Sequence, residues 1–168
     1  MPKCDFRGVI ENSPFVERSL KSMYPGTDEA ELPAKLEALA QRSPSAEEIR
    51  SEIRETEDEE ALALRMRDVR RRILVTLAAR DATGLGGYPE VVRVMTELAE
   101  ETIQAAVRCQ TRLLAERFGV PMSEEGVPQD LLVVGMGKLG GAELNVSSDI
   151  DLIFLYDCDG ETRPTEEF

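Results

Sequence analysis

The chain has 168 residues, about the size of one domain, and its 42% hydrophobic and 32% charged content suits a globular protein with a solvated helical surface. Its formal net charge of −13 disfavours nucleic acid and membranes as general partners, because both select basic protein faces. The chain contains no histidine, which excludes Ser-His-Asp and Cys-His catalysis, histidine-containing zinc sites and an imidazole general base.

The first 41 residues predict two short helices. A Ser-Pro step at Ser13 is a typical helix start, and we expect a helix over residues 15–23 that a Pro-Gly step ends. The remainder of residues 1–27 is expected to be irregular. Leucines spaced by four and three residues predict a second helix over residues 28–41.

A longer helical region is expected between residues 45 and 84. Ser45 and Glu48 have the spacing of a capping box, and an acidic patch over residues 55–60 interrupts the apolar seam. The seam resumes at helical spacing at Leu62, Met66, Val69, Ile73 and Leu77. The pattern predicts one kinked helix or two abutting helices, ending at Gly84.

This region also carries a basic stripe. Its members are Arg65, Arg67, Arg70, Arg71, Arg72 and Arg80. The stripe has two interpretations: a solvated face that balances the acidic patch, or a surface for an acidic partner or for nucleotide phosphates.

The last helix is expected to begin at Pro89 and to end at Gly119, with an apolar face along its length. A loop over residues 120–129 then leads to one β-strand over residues 131–135 and a second over residues 150–156. The predicted fold class is therefore α+β. It divides into a helical region, residues 1–120, and the start of a strand-containing core, residues 121–168.

The three cysteines, Cys4, Cys109 and Cys158, are far apart and odd in number, so they predict neither a paired metal site nor a disulfide framework. This usage favours a reducing compartment. The chain shows no signal peptide and no apolar run near 18 residues. We therefore expect a cytoplasmic protein that is neither secreted nor membrane-spanning.

Acidic residues are concentrated near the C-terminus, where residues 121–168 hold 11 of them against Lys138 and Arg163. An acidic site that handles phosphate must recruit cations, so this asymmetry favours a bound metal. A solvated acidic tail would explain the same asymmetry without any site.

The stretch GMGKLGGAELNVSSDIDLIFLYD, residues 135–157, begins with a glycine-rich turn. Gly135-x-Gly137-x-x-Gly140 after an apolar strand matches the dinucleotide-binding fingerprint, and Asp157 lies where a ribose-binding acid would. Only residues 141–149 separate this turn from the second strand, however. A parallel crossover needs about a dozen residues or more, so the length of the connection excludes a dinucleotide site.

The same stretch has a second interpretation, as a site for phosphate chemistry. Asp149 and Asp151 are two residues apart, so on a strand they would share a face, and such a pair can share Mg²⁺ ions. Backbone N–H groups of Gly140 and Gly141 can approach phosphate because no Cβ intervenes, and Ser148 adds a hydroxyl donor. The alternative is a solvated acid pair on an edge strand. The apolar run and the Gly-Gly turn favour the functional interpretation.

These motifs resemble those of polymerase-β-like nucleotidyltransferases, in which a Gly-Gly or Gly-Ser turn precedes a strand with Asp-x-Asp. Over about 20 consecutive residues the stretch is similar to the glutamine-synthetase adenylyltransferase/adenylyl-removing enzymes. That family carries G-M-G-K-L-G-G-x-E-L-N-x-S-S-D-I-D-L-I-F once in each half of a long chain. Asn145 and Ile150 bring this sequence closer to the N-terminal copy, and weaker similarity extends over most of the chain.

In that family the N-terminal half removes AMP from a tyrosine of glutamine synthetase by phosphorolysis and releases ADP, and the C-terminal half adds AMP from ATP. The resemblance implies adenylyl removal here, with Mg²⁺ as cofactor and a nucleotide as substrate. It implies that Asp149 and Asp151 ligate the metals. It also implies that the phosphates are held by Gly140, Gly141 and Ser148.

Lys138 is a lesser candidate for phosphate binding, because it can instead pair with Glu143. A nucleotidyltransferase site needs a third carboxylate from a later strand, and Glu161, Glu166 and Glu167 cannot be assigned to that role. The expected fold is therefore a mostly helical region followed by the first two strands of an incomplete nucleotidyltransferase sheet. We expect an N-terminal fragment that is inactive alone.

Two other functions remain open. A non-catalytic helical module would bind glutamine synthetase or a PII-type signal protein through its helices, with the acidic pair idle. A dinucleotide-dependent oxidoreductase is a distant third, because the connection after the glycine turn is too short for it.

Overall fold

Helices form most of the protein. The computed structural model describes residues 5–53 and 58–164, so Cys4, residues 55–57 of the acidic patch, Glu166 and Glu167 lie outside the described residues. The helices before residue 119 are α1 Phe6–Asn12, α2 Pro14–Met23, α3 Leu32–Ala40, α4 Ala46–Ile53, α5 Glu59–Ala82 and α6 Tyr88–Phe118. A short 3-10 turn, Glu29–Glu31, precedes α3.

Polar side chains begin the first helices. Ser13 accepts a hydrogen bond from the Val16 N–H at 3.3 Å, with Pro14 in the first turn, which confirms the predicted start of α2. The expectation that the other early residues are irregular was wrong, because α1 precedes α2. Asp5 caps α1 by accepting from the Gly8 N–H at 2.9 Å. A helix of seven residues is too short for its apolar periodicity to be recognised.

The region between residues 45 and 84 forms two abutting helices, one of the two predicted arrangements. Ser45 accepts from the Glu48 N–H at 3.3 Å at the start of α4, and Asp58 accepts from the Ala61 N–H at 2.7 Å at the start of α5. Gly84 follows α5 in the left-handed region, with φ of +72°, where glycine is the preferred residue.

Helix α5 separates two hydrophobic cores. The predicted seam of α5 is buried or half-buried against α4 and α6, and this core also takes in Leu139 and Leu144 from beyond α6. The opposite side of α5, with Val75 and Ala79, packs against the first three helices. A helix covered on both sides is well fixed, because leaving either core would expose apolar surface.

An ion pair between a half-exposed arginine and a buried glutamate ties α4 to α6. Arg50 donates from Nε and Nη2 to the two carboxylate oxygens of Glu101, at 2.9 and 2.6 Å, and the Glu101 carboxylate is almost fully buried. Hydrogen bonding and attraction to this carboxylate raise the pKa of the Arg50 guanidinium above its ordinary value. The bidentate geometry fixes the position of α6 along α4.

Arg80 links three segments at the end of α5. Its Nε donates to Glu90 of α6 at 2.9 Å, and its other nitrogens donate to the carbonyls of Ala40 and Leu85 at 2.7 and 2.9 Å. Both charged side chains are largely buried. In the basic stripe, Arg71 donates to Ser22 and Arg72 to Glu52, so at least these arginines contribute to intramolecular packing.

Between α6 and residue 164, where the described part of the chain ends, there are four short strands: β1 Val120–Ser123, β2 Leu132–Gly135, β3 Leu152–Leu155 and β4 Gly160–Arg163. They form two antiparallel pairs, β1 with β4 and β2 with β3. The α+β class and the two apolar strands are confirmed. The loop expected over residues 120–129 was wrong in part, since it contains β1, and β4 was not predicted. The division into regions at residue 120 stays a prediction.

The β2–β3 pair is apolar on both sides. One side faces α6 across a crevice that both line. The opposite side consists of Leu132, Val134, Ile153 and Leu155, all between 42% and 54% exposed. Strands with apolar residues on both sides are typical of sheets that are covered on both faces.

Two further expectations concerned the cysteines and membrane-spanning segments. Cys109 is buried and Cys158 is exposed, and both are free thiols. Among the residues that the structure describes, no helix combines the length and the apolar character needed to cross a membrane.

Replacing Arg80 with alanine is expected to lower the free energy of unfolding by about 3 kcal/mol, because Glu90 and two carbonyls lose a largely buried partner. Urea denaturation would measure the loss. Arg42→Ala, which removes a solvent-exposed guanidinium paired with Glu48, is the control and should cost less than about 0.5 kcal/mol. Equal losses in the two variants would contradict the role assigned to Arg80.

Candidate functional site

The glycine turn follows β2 directly and forms a single helical turn, α7 Gly137–Gly140. Gly140 packs tightly on the preceding strand, since a Cβ at this position would lie 2.5 Å from the Gly135 carbonyl oxygen. Gly137 has a φ of +54°, a conformation that favours glycine. Two of the glycines are therefore required by the shape of the turn itself.

The left-handed residue that follows α7 is not glycine. Ala142 has a φ of +55°. The N–H of Glu143 donates to the Lys138 carbonyl at 2.8 Å, and the N–H of Ala142 donates to the Leu139 carbonyl at 3.1 Å. This pair of hydrogen bonds commonly closes a helix whose next residue is left-handed. It reverses the chain after a single turn.

The predicted phosphate-binding amides are engaged inside the turn. The N–H of Gly140 donates to the Met136 carbonyl at 3.2 Å, and the N–H of Gly141 donates to the Gly137 carbonyl at 3.0 Å. The sequence predicted these groups to be free for phosphate, whereas in this structure a phosphate would have to share them as a second acceptor. The assignment of Gly140 and Gly141 to phosphate stays a prediction.

Leu144 anchors the segment that follows the turn. Between residues 141 and 151 it is the one buried residue, at 3% exposed, and it lies in the core formed with α6. Its N–H donates to the hydroxyl of Thr96, a residue of α6 that is 4% exposed, at 3.3 Å. This contact joins the irregular segment to the helical body.

A compact turn comes next and uses the hydroxyl of Ser148. The Asn145 side-chain oxygen accepts from the Ser147 N–H at 3.1 Å and from the Ser148 hydroxyl at 2.8 Å. The N–H of Ser148 donates to the Asn145 carbonyl at 3.3 Å. Ser148 was predicted as a hydroxyl donor to phosphate. Its proton is held by Asn145 here, and its role toward phosphate stays a prediction.

Asp149 and Asp151 lie just before β3 rather than on it, because the strand begins at Leu152. This corrects the geometry from which a shared face was predicted. The Asp151 carbonyl still accepts from the Met136 N–H at 2.9 Å, so the pairing of β2 and β3 continues one step beyond the strand. Ile150, between the two acids, is 41% exposed and is not a core residue.

Both carboxylates are exposed and have no hydrogen-bonding or ion-pair partner among residues 5–53 and 58–164. Lys138 is exposed on α7, and within the same ranges it forms no ion pair with Glu143. The alternative role of Lys138, as the ion-pair partner of Glu143, is therefore not observed. The three charged side chains are available to ligands from solvent.

The donor set fits part of a magnesium site. Mg²⁺ prefers oxygen ligands and is often bound through one or two carboxylates together with phosphate and water, which Asp149 and Asp151 can accommodate. The described residues contain no group of three or more acidic or thiol side chains that could hold a metal. Glu161 lies on β4, in the other strand pair, and Glu166 and Glu167 are outside the described residues.

Sequence reasoning missed the residues that place this segment. Thr96 was not recognised, although it follows Met95 of the predicted apolar face directly and a threonine hydroxyl beside such a face is a usable acceptor. Leu144 and Asn145 were quoted only as part of the motif. Their roles depend on contacts with α6 and with Ser148 that no local pattern specifies.

Comparison with known proteins places these features in a family. A family model described as glutamate-ammonia ligase adenylyltransferase matches residues 4–167. The bifunctional glutamine synthetase adenylyltransferase/adenylyl-removing enzyme of Nitrosomonas europaea is 50% identical over 109 residues, which are 63% of this chain and 12% of that protein. Proteins with the same name from Aromatoleum aromaticum and Ralstonia nicotianae are 48% and 47% identical, over 62% and 64% of this chain and 11% of each protein. The chain thus covers about a tenth of the length of these relatives.

Replacing Gly140 with alanine is expected to lower the free energy of unfolding by about 2 kcal/mol, because the added Cβ must displace the Gly135 carbonyl. Gly141→Ala is the matched control, since a Cβ there meets nothing closer than 3.5 Å and its φ is −85°. Thermal unfolding of the two variants would compare them. If Gly141→Ala cost as much as Gly140→Ala, tight packing would not explain the glycine at 140.

Replacing Ala142 with glycine is expected to raise the free energy of unfolding by about 0.5–1 kcal/mol, since glycine adopts a φ of +55° without the steric cost of a Cβ. Ala63→Gly, at an exposed position inside α5, should instead lower stability by about 1 kcal/mol. Opposite signs in chemical denaturation are the expected result. A loss of stability in both variants would show that Ala142 is not left-handed in solution.

Proposed function

The chain belongs to the glutamate-ammonia ligase adenylyltransferase family, and we propose that it forms the first part of an adenylyl-removing half. In this proposal the enzyme removes AMP from a tyrosine of glutamine synthetase by metal-dependent phosphorolysis. Asn145 and Ile150 support the removing half, because they match the N-terminal copy of the motif. The proposal thereby gives the enzyme a place in the control of nitrogen assimilation.

One observation carries the proposal: an exposed Asp-x-Asp pair, without a partner among the described residues, directly follows a turn that is fixed to the helical body. The oxygen atoms of carboxylates without protein partners remain available to a ligand. Their loop is held by the Asn145 turn on one side and by β3 on the other. Such an arrangement suits cation binding better than a structural ion pair.

This reaction needs no histidine as a proton carrier. An oxygen of inorganic phosphate bonds to the phosphorus of the AMP-tyrosine group, the bond from phosphorus to the tyrosyl oxygen breaks, the tyrosyl oxygen takes up the proton from phosphate, and ADP leaves. When bound, Mg²⁺ neutralises charge on the phosphate oxygens. Asp149 and Asp151 would hold the metal, and the exposed Lys138 would attract the anionic substrates.

We assign the activity to the longer enzyme rather than to this segment alone. The described residues hold no third carboxylate beside the pair, and the relatives are several times longer than the matched stretch. The exposed apolar side of the β2–β3 pair also supports cover by further parts of such an enzyme. The free thiols Cys109 and Cys158 suit a reducing cytoplasm, where we place the protein.

A non-catalytic role is the second candidate. The helices α1–α6 build two cores of their own, and the acidic pair lacks a third ligand among the described residues. Under this alternative the helices bind glutamine synthetase or a PII-type signal protein while the acids stay idle. Retained binding of either protein without Mg²⁺-dependent nucleotide affinity would favour it over catalysis.

Asp149→Asn and Asp151→Asn, made in a full-length enzyme that carries this segment, are expected to slow ADP release from adenylylated glutamine synthetase and phosphate by roughly 100-fold or more. Each change removes one carboxylate charge with almost no change of volume. Asp157→Asn, an exposed aspartate beyond the other end of β3, is the control and should leave the rate unchanged. Wild-type rates in both test variants would contradict the assignment of Asp149 and Asp151 as metal ligands.

A further inference from the structure

The hydroxyl of Thr96 lies where helix α6 meets the segment that carries the acidic pair. Thr96 is buried, and its oxygen accepts the N–H of Leu144, which is itself buried. A buried backbone N–H needs an acceptor, because leaving it unpaired inside the protein is unfavourable. The hydrogen bond therefore fixes the backbone at residue 144 relative to α6.

Few other contacts fix this segment. Apart from Leu144, residues 141–151 are half-buried or exposed. Val146 is 44% exposed. It lies at the edge of a shallow crevice of about 350 Å³, which Leu74 and Leu77 of α5 also line. An exposed apolar contact allows sliding, whereas a directed hydrogen bond specifies both distance and orientation.

The constraint at residue 144 is passed directly to the acidic pair. Leu144 is followed by Asn145, whose side chain holds the N–H of Ser147 and the hydroxyl of Ser148. Asp149 is the next residue. Hydrogen bonds at Leu144, Asn145 and Ser148 thus lie between the helix and the first carboxylate.

We propose that Thr96 is a positioning residue for the metal-binding segment: its hydroxyl sets the orientation of Asp149 without touching metal or substrate. This inference rests on the proposed function, in which Asp149 is a metal ligand. Residues that orient metal ligands from behind typically change metal affinity by 10–100-fold when they are replaced.

The direct test compares Thr96→Val with Thr96→Ser in the full-length enzyme. Valine keeps the shape and removes the acceptor, so faster amide hydrogen exchange at Leu144 and a roughly 10-fold weaker affinity for Mn²⁺, measured by electron paramagnetic resonance, are expected. Serine keeps the hydroxyl and should restore both. Thr96→Ala removes the same acceptor and serves if the valine variant does not fold.

Thr102→Val is the control, because Thr102 is a half-buried threonine of the same helix whose hydroxyl, among the described residues, does not accept from Leu144. It should leave exchange and Mn²⁺ affinity unchanged. In the deadenylylation assay, Thr96→Val should raise the Mg²⁺ concentration for half-maximal activity while the KM for adenylylated glutamine synthetase stays constant. A mere loss of folded enzyme would lower the rate without moving either concentration.

The outcomes separate this inference from the proposed function. If Thr96→Val exchanges and binds Mn²⁺ like the wild type while Asp149→Asn loses Mn²⁺, Thr96 does not position the site, and the proposed function stands. If Asp149→Asn and Asp151→Asn also bind Mn²⁺ like the wild type, the metal site itself is wrong. If Thr96→Ser shows the same fast exchange at Leu144 and the same weak Mn²⁺ affinity as Thr96→Val, loss of the hydroxyl does not explain these effects, and the inference is wrong.

Discussion

The position of the acidic pair depends on how an irregular segment is attached to a helix. Between β2 and β3 the chain makes one helical turn, reverses through Ala142 and crosses to Asp151 with little regular structure. Burial of Leu139 and Leu144 in the core with α6 holds the segment against the helix. The hydrogen bond to the Thr96 hydroxyl sets the orientation of its backbone. Apolar burial alone is non-directional, so it could hold the segment but not orient it.

The helical body gives this attachment a fixed reference. Helix α6 is 31 residues long, and it is held to α4 by the Arg50–Glu101 pair and to α3 and α5 by Arg80. Both arginines bind through several nitrogens, which restrains rotation and sliding of the helices. Thr96 lies on the same helix, between Glu90 and Glu101, where these restraints act. The surroundings of the site are therefore set by residues far from it in sequence.

Much of the helical body could be predicted from the sequence, and the site only in part. The seam of α5 and the caps at Ser13 and Ser45 are local signals, because periodicity and capping need only neighbouring residues. Strand β4 carries a polar sequence and forms only by pairing with β1, so no local pattern shows it. Asp149 and Asp151 were recognised by motif, and both are exposed, but they lie before β3 rather than on one face of it as the spacing predicted. Their role toward a metal stays a prediction.

The motif also divides its residues between folding and ligand binding in a way that residue types alone do not reveal. Glycine amides and a serine hydroxyl beside two aspartates suggest phosphate donors, yet here the amides of Gly140 and Gly141 and the hydroxyl of Ser148 close turns. Each of these bonds pairs a polar group that could otherwise form a different hydrogen bond and so favour another backbone conformation of the segment. Within the part of the chain that the structure describes, the carboxylates of Asp149 and Asp151 and the ammonium of Lys138 are among the side chains of the motif without such a bond. Neutral groups thus build the shape of the segment. In the proposed function the charged groups are then left for the metal and the phosphates, whose strong hydration only charge can offset.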